Sequence, residues 1–188
     1  DTLRRMTHPN TREYLDAIRI HRPVAFVFSG IGNDILGDIT RVVRPYDPDS
    51  PPSSPHGFLS DGFVKALGEG LKAYQDVAEE LIRSFPEIRM FVHGYDYAVP
   101  GSGSRSPWLK TPMTEKLGIP EEVQPDIVRV MIDDLNHGLR LLADEVDNLV
   151  YVDCRSAAEQ PWDDEIHPTE IGYSHVAERF HLAIQSNL

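Results

Sequence analysis

Three short stretches of this sequence are apolar on both faces, and each stops at small or polar residues. Val24 to Phe28 ends at Ser29-Gly30, Arg89 to Val92 ends at His93-Gly94, and Leu149 to Val152 ends at Asp153-Cys154. A strand with one face in water alternates apolar and polar side chains; a strand covered on both faces does not. The three stretches therefore predict parallel strands buried between helices. The segments between them carry a helical period. From Gly62 to Phe85 the apolar residues Val64, Leu67, Leu71, Tyr74, Ala78, Leu81 and Phe85 make one stripe, with Asp61 as N-cap and Pro86 as the stop. A second helix is expected from Pro125 to Asp144, with Ile127, Met131, Leu135, Leu139 and Leu142 inward. A last one begins near Pro168-Thr169 and buries Ile171, Val176, Phe180 and Ile184; another spans Asn10 to His21. Strands alternating with helices predict an α/β protein, with residues 1–188 forming one domain.

Two segments break the rhythm. Residues 45–57 hold five prolines by Pro55, and residues 98–112 hold Gly-Ser repeats, Trp108 and three prolines. Both are expected to be irregular loops. They follow carboxyl ends of strands, the edge where open α/β sheets bind ligands, so both are expected to rim a site.

Composition narrows the function. Lys and Arg total 18 against 30 Asp and Glu, a formal charge of −12, which disfavours nucleic acid and anionic lipid as partners. The longest unbroken apolar run, Pro23 to Phe28, is far short of the ~20 residues that span a bilayer. Cys154 is the single cysteine, so neither an internal disulfide nor a Cys-based zinc site is expected. A lone thiol suits a reducing compartment such as the cytoplasm.

Two constellations carry chemistry. Ser29-Gly-Ile-Gly-Asn-Asp34 follows the first strand, and there Asn33 offers a neutral amide donor of the kind that stabilises a developing oxyanion. A turn that merely satisfies its own backbone would read the same way. Trp162-Asp-Asp-Glu-Ile-His-Pro168 precedes the last helix. Asp164 and His167 stand three apart, so a carboxylate oxygen can reach imidazole Nδ1 and leave Nε2 as a base. An acidic helix start, with Asp163, Asp164 and Glu165 complementing the dipole, is the other reading. His93, Tyr95 and Trp108 stand at the same edge and are candidates for lining a substrate pocket; Tyr95 and Tyr97 capping the core beneath the loop is the equal alternative.

These residues resemble the SGNH (GDSL-type) hydrolases, serine esterases on a flavodoxin-like three-layer α/β/α fold. Gly32-Asn33-Asp34, with Gly30 before it, resembles the family's third block, Gly-x-Asn-Asp, although Ile31 stands where the family usually has Gly. Asp164, His167, Pro168 and Gly172 resemble its fifth block. The resemblance runs from about Val24 to Phe180. It implies His167 as general base, Asp164 as its orienting partner, Asn33 and Gly32 at the oxyanion hole, and a small-molecule ester as substrate. It implies neither cofactor nor metal.

The family's first block, which supplies the nucleophilic serine, has no counterpart here, and the second-block glycine has no clear match. The resemblance thus implies a chain lacking the first strands, with the serine outside it and the Val24 to Phe28 strand left as a bare edge. A missing N-terminal segment or a pairing chain would cover that edge. Ser29, Ser102, Ser104 and Ser106 are expected to be poor substitutes. Two alternatives stay open: a metal-dependent phosphoesterase using Asp34, His93, Asp96, Asp164 and His167, and a binding domain that has lost its nucleophile.

Overall fold

The computed structural model describes Leu3, Thr7 and residues 13–103, 108–158 and 162–188. Helix α1 (Glu13–His21) leads into β1 (Ala25–Phe28), and two single-turn helices follow, α2 (Gly32–Ile35) and α3 (Ile39–Val42). A 3-10 turn (Pro55–Phe58) precedes the long α4 (Asp61–Ser84) and β2 (Arg89–Val92). Then come α5 (Lys110–Glu115), a second 3-10 turn (Glu121–Val123), α6 (Gln124–Glu145), β3 (Leu149–Tyr151) and α7 (Glu170–Asn187). The Asn10 to Arg12 part of the expected first helix lies outside the described residues.

The strands form a parallel sheet in the order β1-β2-β3, with Val27 opposite Phe91 and Phe91 opposite Val150. Successive side chains point to opposite faces, and both faces are apolar. Phe28, Met90, Val92 and Leu149 join the larger core with α4 and α6. Phe91 and Val152 join a smaller one, with Cys154, Phe180 and the half-buried Val176 and Ile184 of α7. The protein is therefore an α/β fold with helical layers on both sides of a parallel sheet. Ile127, Met131, Leu135, Leu139 and Leu142 of α6 are all buried, each contributing about 1.5–3 kcal/mol of apolar burial.

Four local expectations need correction. Ser60, not Asp61, caps α4: its Oγ accepts the Gly62 N–H at 3.1 Å. Val64 points outward, and Phe63 takes the buried place one residue earlier. The last helix starts at Glu170, because Thr169 caps it and Pro168 is used in a bridge with Trp162; Ile171 then faces solvent. The two proline-rich loops are not wholly irregular: 45–57 runs into the 3-10 turn at Pro55, and 98–112 ends in α5, where Pro112 sits within the first turn and forfeits no helical hydrogen bond.

Among the described residues, no strand pairs with the outer edge of β1. Val27, on that strand, is 50% exposed, and Val24 just before it is more so.

Candidate active site

The carboxyl ends of β1 and β2 converge. Directly after β1, the Gly30 carbonyl accepts two phenols, Tyr95 at 2.7 Å and Tyr74 at 3.1 Å, while the Tyr74 oxygen accepts the Gly30 N–H at 2.9 Å. Ile31 follows at φ +69° and starts α2. That is the left-handed region, which a β-branched residue enters only under strain; burial of Ile31 against Gly70 holds it there. Gly32 packs beneath the Tyr95 ring, where an added Cβ would lie 3.0 Å from Cζ. Asn33 is exposed on the first turn of α2, and Asp34 accepts the Leu3 N–H at 2.9 Å.

After β2, His93 is 8% exposed, its ring edge-on to Phe180 and tilted against Tyr95. Its Nε2 lies 2.9 Å from Ser29 Oγ, and its Nδ1 is buried without a hydrogen-bond partner among the described residues. Burial alone pushes this imidazole down to about 4. The Gly94-Tyr95 turn is held from α6, where Asn136 Nδ2 donates to the Gly94 carbonyl at 2.9 Å and Asn136 Oδ1 accepts the Tyr151 hydroxyl at 2.7 Å. Asp96 ties this loop to the one after β3 by accepting the N–H groups of Tyr97, Ser156 and Ala158 at 2.6–2.7 Å.

Asp164 and His167 face each other on the turn before α7. His167 Nδ1 is 2.8 Å from Asp164 Oδ2 and 3.0 Å from Oδ1. Oδ1 also accepts the N–H groups of Ile166 at 2.9 Å and His167 at 2.8 Å. Partial burial pushes the Asp164 carboxyl up, but these bonds outweigh it and hold the group below its usual range. Nδ1 is thus committed to the carboxylate, and the ring is half exposed. Burial pushes the Tyr173 phenol up, and the negative charges of Asp164 and Asp163 add to that.

The remaining candidates are dispersed. Trp108 is 39% exposed beside the Asp164 turn, its N–H donated to Glu165. Ser102 Oγ donates to the Asp164 carbonyl at 3.0 Å; Ser104 and Ser106 lie outside the described residues. The Cys154 thiol is buried, which pushes it up to about 12 and out of nucleophilic range. Among the described residues no three His, Cys, Asp or Glu side chains are grouped to hold a metal ion, and Asp34 and Asp96 are committed to backbone N–H groups. No described helix is long and apolar enough to cross a membrane.

Sequence reading missed Glu165. It is fully buried and serves the loop before it, not the dipole of α7.

No protein-family model matches the chain, and no curated protein matches it. Its fold is similar to the solved structure of BT4096, a gut microbial diltiazem-metabolizing enzyme, with a TM-score of 0.58 and 13% identity. The match covers 97% of this chain and 37% of that one, so the chain spans little more than a third of that enzyme's length.

Proposed function

We propose that the chain contributes the base and oxyanion side of a serine ester hydrolase of the SGNH type. The observation that carries this reading is the Asp164–His167 pair, with Nδ1 on the carboxylate at 2.8 Å in a ring that is half exposed. An Asp so placed fixes the tautomer that leaves Nε2 basic and stabilises the imidazolium once it forms. Support also comes from the α/β fold, shared with an enzyme, and from the left-handed backbone at Ile31, where the family block that Gly32-Asn33-Asp34 resembles carries glycine.

In this reading His167 Nε2 takes the proton of a serine hydroxyl as its oxygen attacks the ester carbonyl. The oxyanion receives the Asn33 side-chain N–H and the Gly32 backbone N–H. His167 returns the proton to the departing alcohol, then activates a water that hydrolyses the acyl-serine. His93, Tyr95 and Trp108 belong to the substrate side.

The serine comes from residues outside this chain and reaches the site along the open edge of β1. Ser29 is unsuited, because a base held at about 4 does not take up a proton near neutrality. The deciding experiment is intact mass before and after a fluorophosphonate probe, together with hydrolysis of a short-chain aryl ester. One adduct on a serine beyond these 188 residues, with ester turnover, supports the reading. An adduct on Ser29 moves the nucleophile into the chain, and neither adduct nor turnover defeats the hydrolase assignment.

A further inference from the structure

Asp163, Asp164 and Glu165 are consecutive acids that part company in the fold. Asp163 is exposed and Asp164 half-buried, whereas Glu165 turns inward with 0% of its surface exposed. A carboxylate so enclosed is costly unless its charge is met. No ion pair reaches it among the described residues. Instead Oε1 accepts the N–H groups of Gly101 at 2.8 Å and Lys110 at 2.7 Å, and Oε2 those of Trp108 at 2.9 Å and Leu109 at 2.8 Å. Four donors saturate the lone pairs of one carboxylate. The loop meets the turn through its main chain as well. Val99 N–H donates to the Glu165 carbonyl at 3.0 Å, and Gly103, at φ +69°, lies so close to the Asp163 carbonyl that no side chain fits there.

We infer that Glu165 is a positioning residue: it locks the Asp164–His167 turn to residues 99–103 and 108–110, the second of which carry Trp108, so that base and substrate-side wall move as one unit. Calling His167 a base rests on the hydrolase reading; the coupling itself is geometric. The Trp108 main chain is one hydrogen bond from a side chain whose neighbour in sequence orients His167. A substrate with a flat apolar face, an aryl ring or the C–H face of a sugar, that stacks on Trp108 would therefore act on the placement of His167.

Amide hydrogen exchange followed by NMR, with the Asp164 carboxyl titrated by its carbon shift, tests this without turnover. In the unsubstituted protein the amides of Gly101, Trp108, Leu109 and Lys110 should open with those of Ile166 and His167, as one cooperative unit. Glu165→Gln sets an NH2 group against N–H donors. All six amides should then exchange about tenfold faster or more, and the Asp164 carboxyl should titrate higher. Asp96→Asn, a comparably buried carboxylate serving the neighbouring loops, should free the Ser156 and Ala158 amides and leave the Asp164 titration in place. Two outcomes overturn the inference. In one, Glu165→Gln frees the loop amides while Ile166, His167 and Asp164 stay unchanged; in the other, Asp96→Asn moves Asp164 equally. If Glu165→Gln does not fold, exchange in the unsubstituted protein decides, and separate opening of loop and turn defeats the proposal. Absence of ester turnover would overturn the hydrolase reading and leave this one intact.

Discussion

Ser29 Oγ lies 2.9 Å from His93 Nε2, a distance that suits a nucleophile and its base, yet the ring is sealed under Phe180 and Tyr95 with its Nδ1 unpaired among the described residues. Among the described residues no carboxylate meets Nδ1 to stabilise imidazolium. His93 is thus a neutral hydrogen-bonding group, and its burial makes stability depend on pH.

The folded imidazole sits at about 4 against an ordinary 6.5. Between those values the unfolded chain binds more protons, so the contribution is complete above about 6.5 and declines as pH falls toward 4. The full span is worth about 3 kcal/mol. Urea unfolding of the unsubstituted protein should lose stability over this window, and His93→Gln should flatten that loss. An unchanged slope in the variant would mean the ring is not neutral in the fold.

At the other pair, Asp164→Asn should leave folding nearly intact and lower ester turnover by about 10⁴, because the wrong tautomer is then held at Nδ1. His167→Ala should reduce turnover to a similar floor, and the double variant should fall no further. Steady-state kinetics check both; additive losses would show that the two residues do not act as a unit.

Ile31 makes a prediction of unusual sign. Ile31→Ala removes a fully buried side chain and keeps the φ of +69° that penalises any Cβ, so it should cost about 2–5 kcal/mol. Ile31→Gly removes the same packing and also the backbone penalty. The glycine variant should therefore be the more stable of the two by about 1 kcal/mol, the reverse of the usual order. Denaturant midpoints of the two variants decide it.

What was legible in the sequence was local. The α6 stripe repeats at three and four residues with no competing phase, so Ile127 through Leu142 are buried as the pattern predicts. Asp164 and His167 are three residues apart, and their contact needs only a turn. On α4 a one-residue change of phase exchanges Val64 for Phe63, and only packing chooses between them. Ser29 meets His93 across 64 residues, and Glu165 meets Leu109 across 56. No local spacing encodes such pairs. Glu165 was misread because the helix it was assigned to begins later, at Glu170, once Trp162 and Pro168 close the turn.

The edge of β1 gives the last prediction. Parallel strands are ordinarily covered on both faces, yet Val27 is half exposed on a strand whose outer edge has no partner among the described residues. A bare edge of this kind templates association unless something covers it. If the serine-bearing residues pair there, Val27→Lys places an ammonium in a buried seam. Ester turnover and fluorophosphonate labelling should then fall at least tenfold, although Val27 touches no reacting atom. If the edge is open in the working protein, the same substitution is a surface change worth less than about 0.5 kcal/mol; it would improve solubility and leave turnover alone. Activity and light scattering of the one variant separate the two cases, and retained turnover would require the nucleophile to arrive by another route.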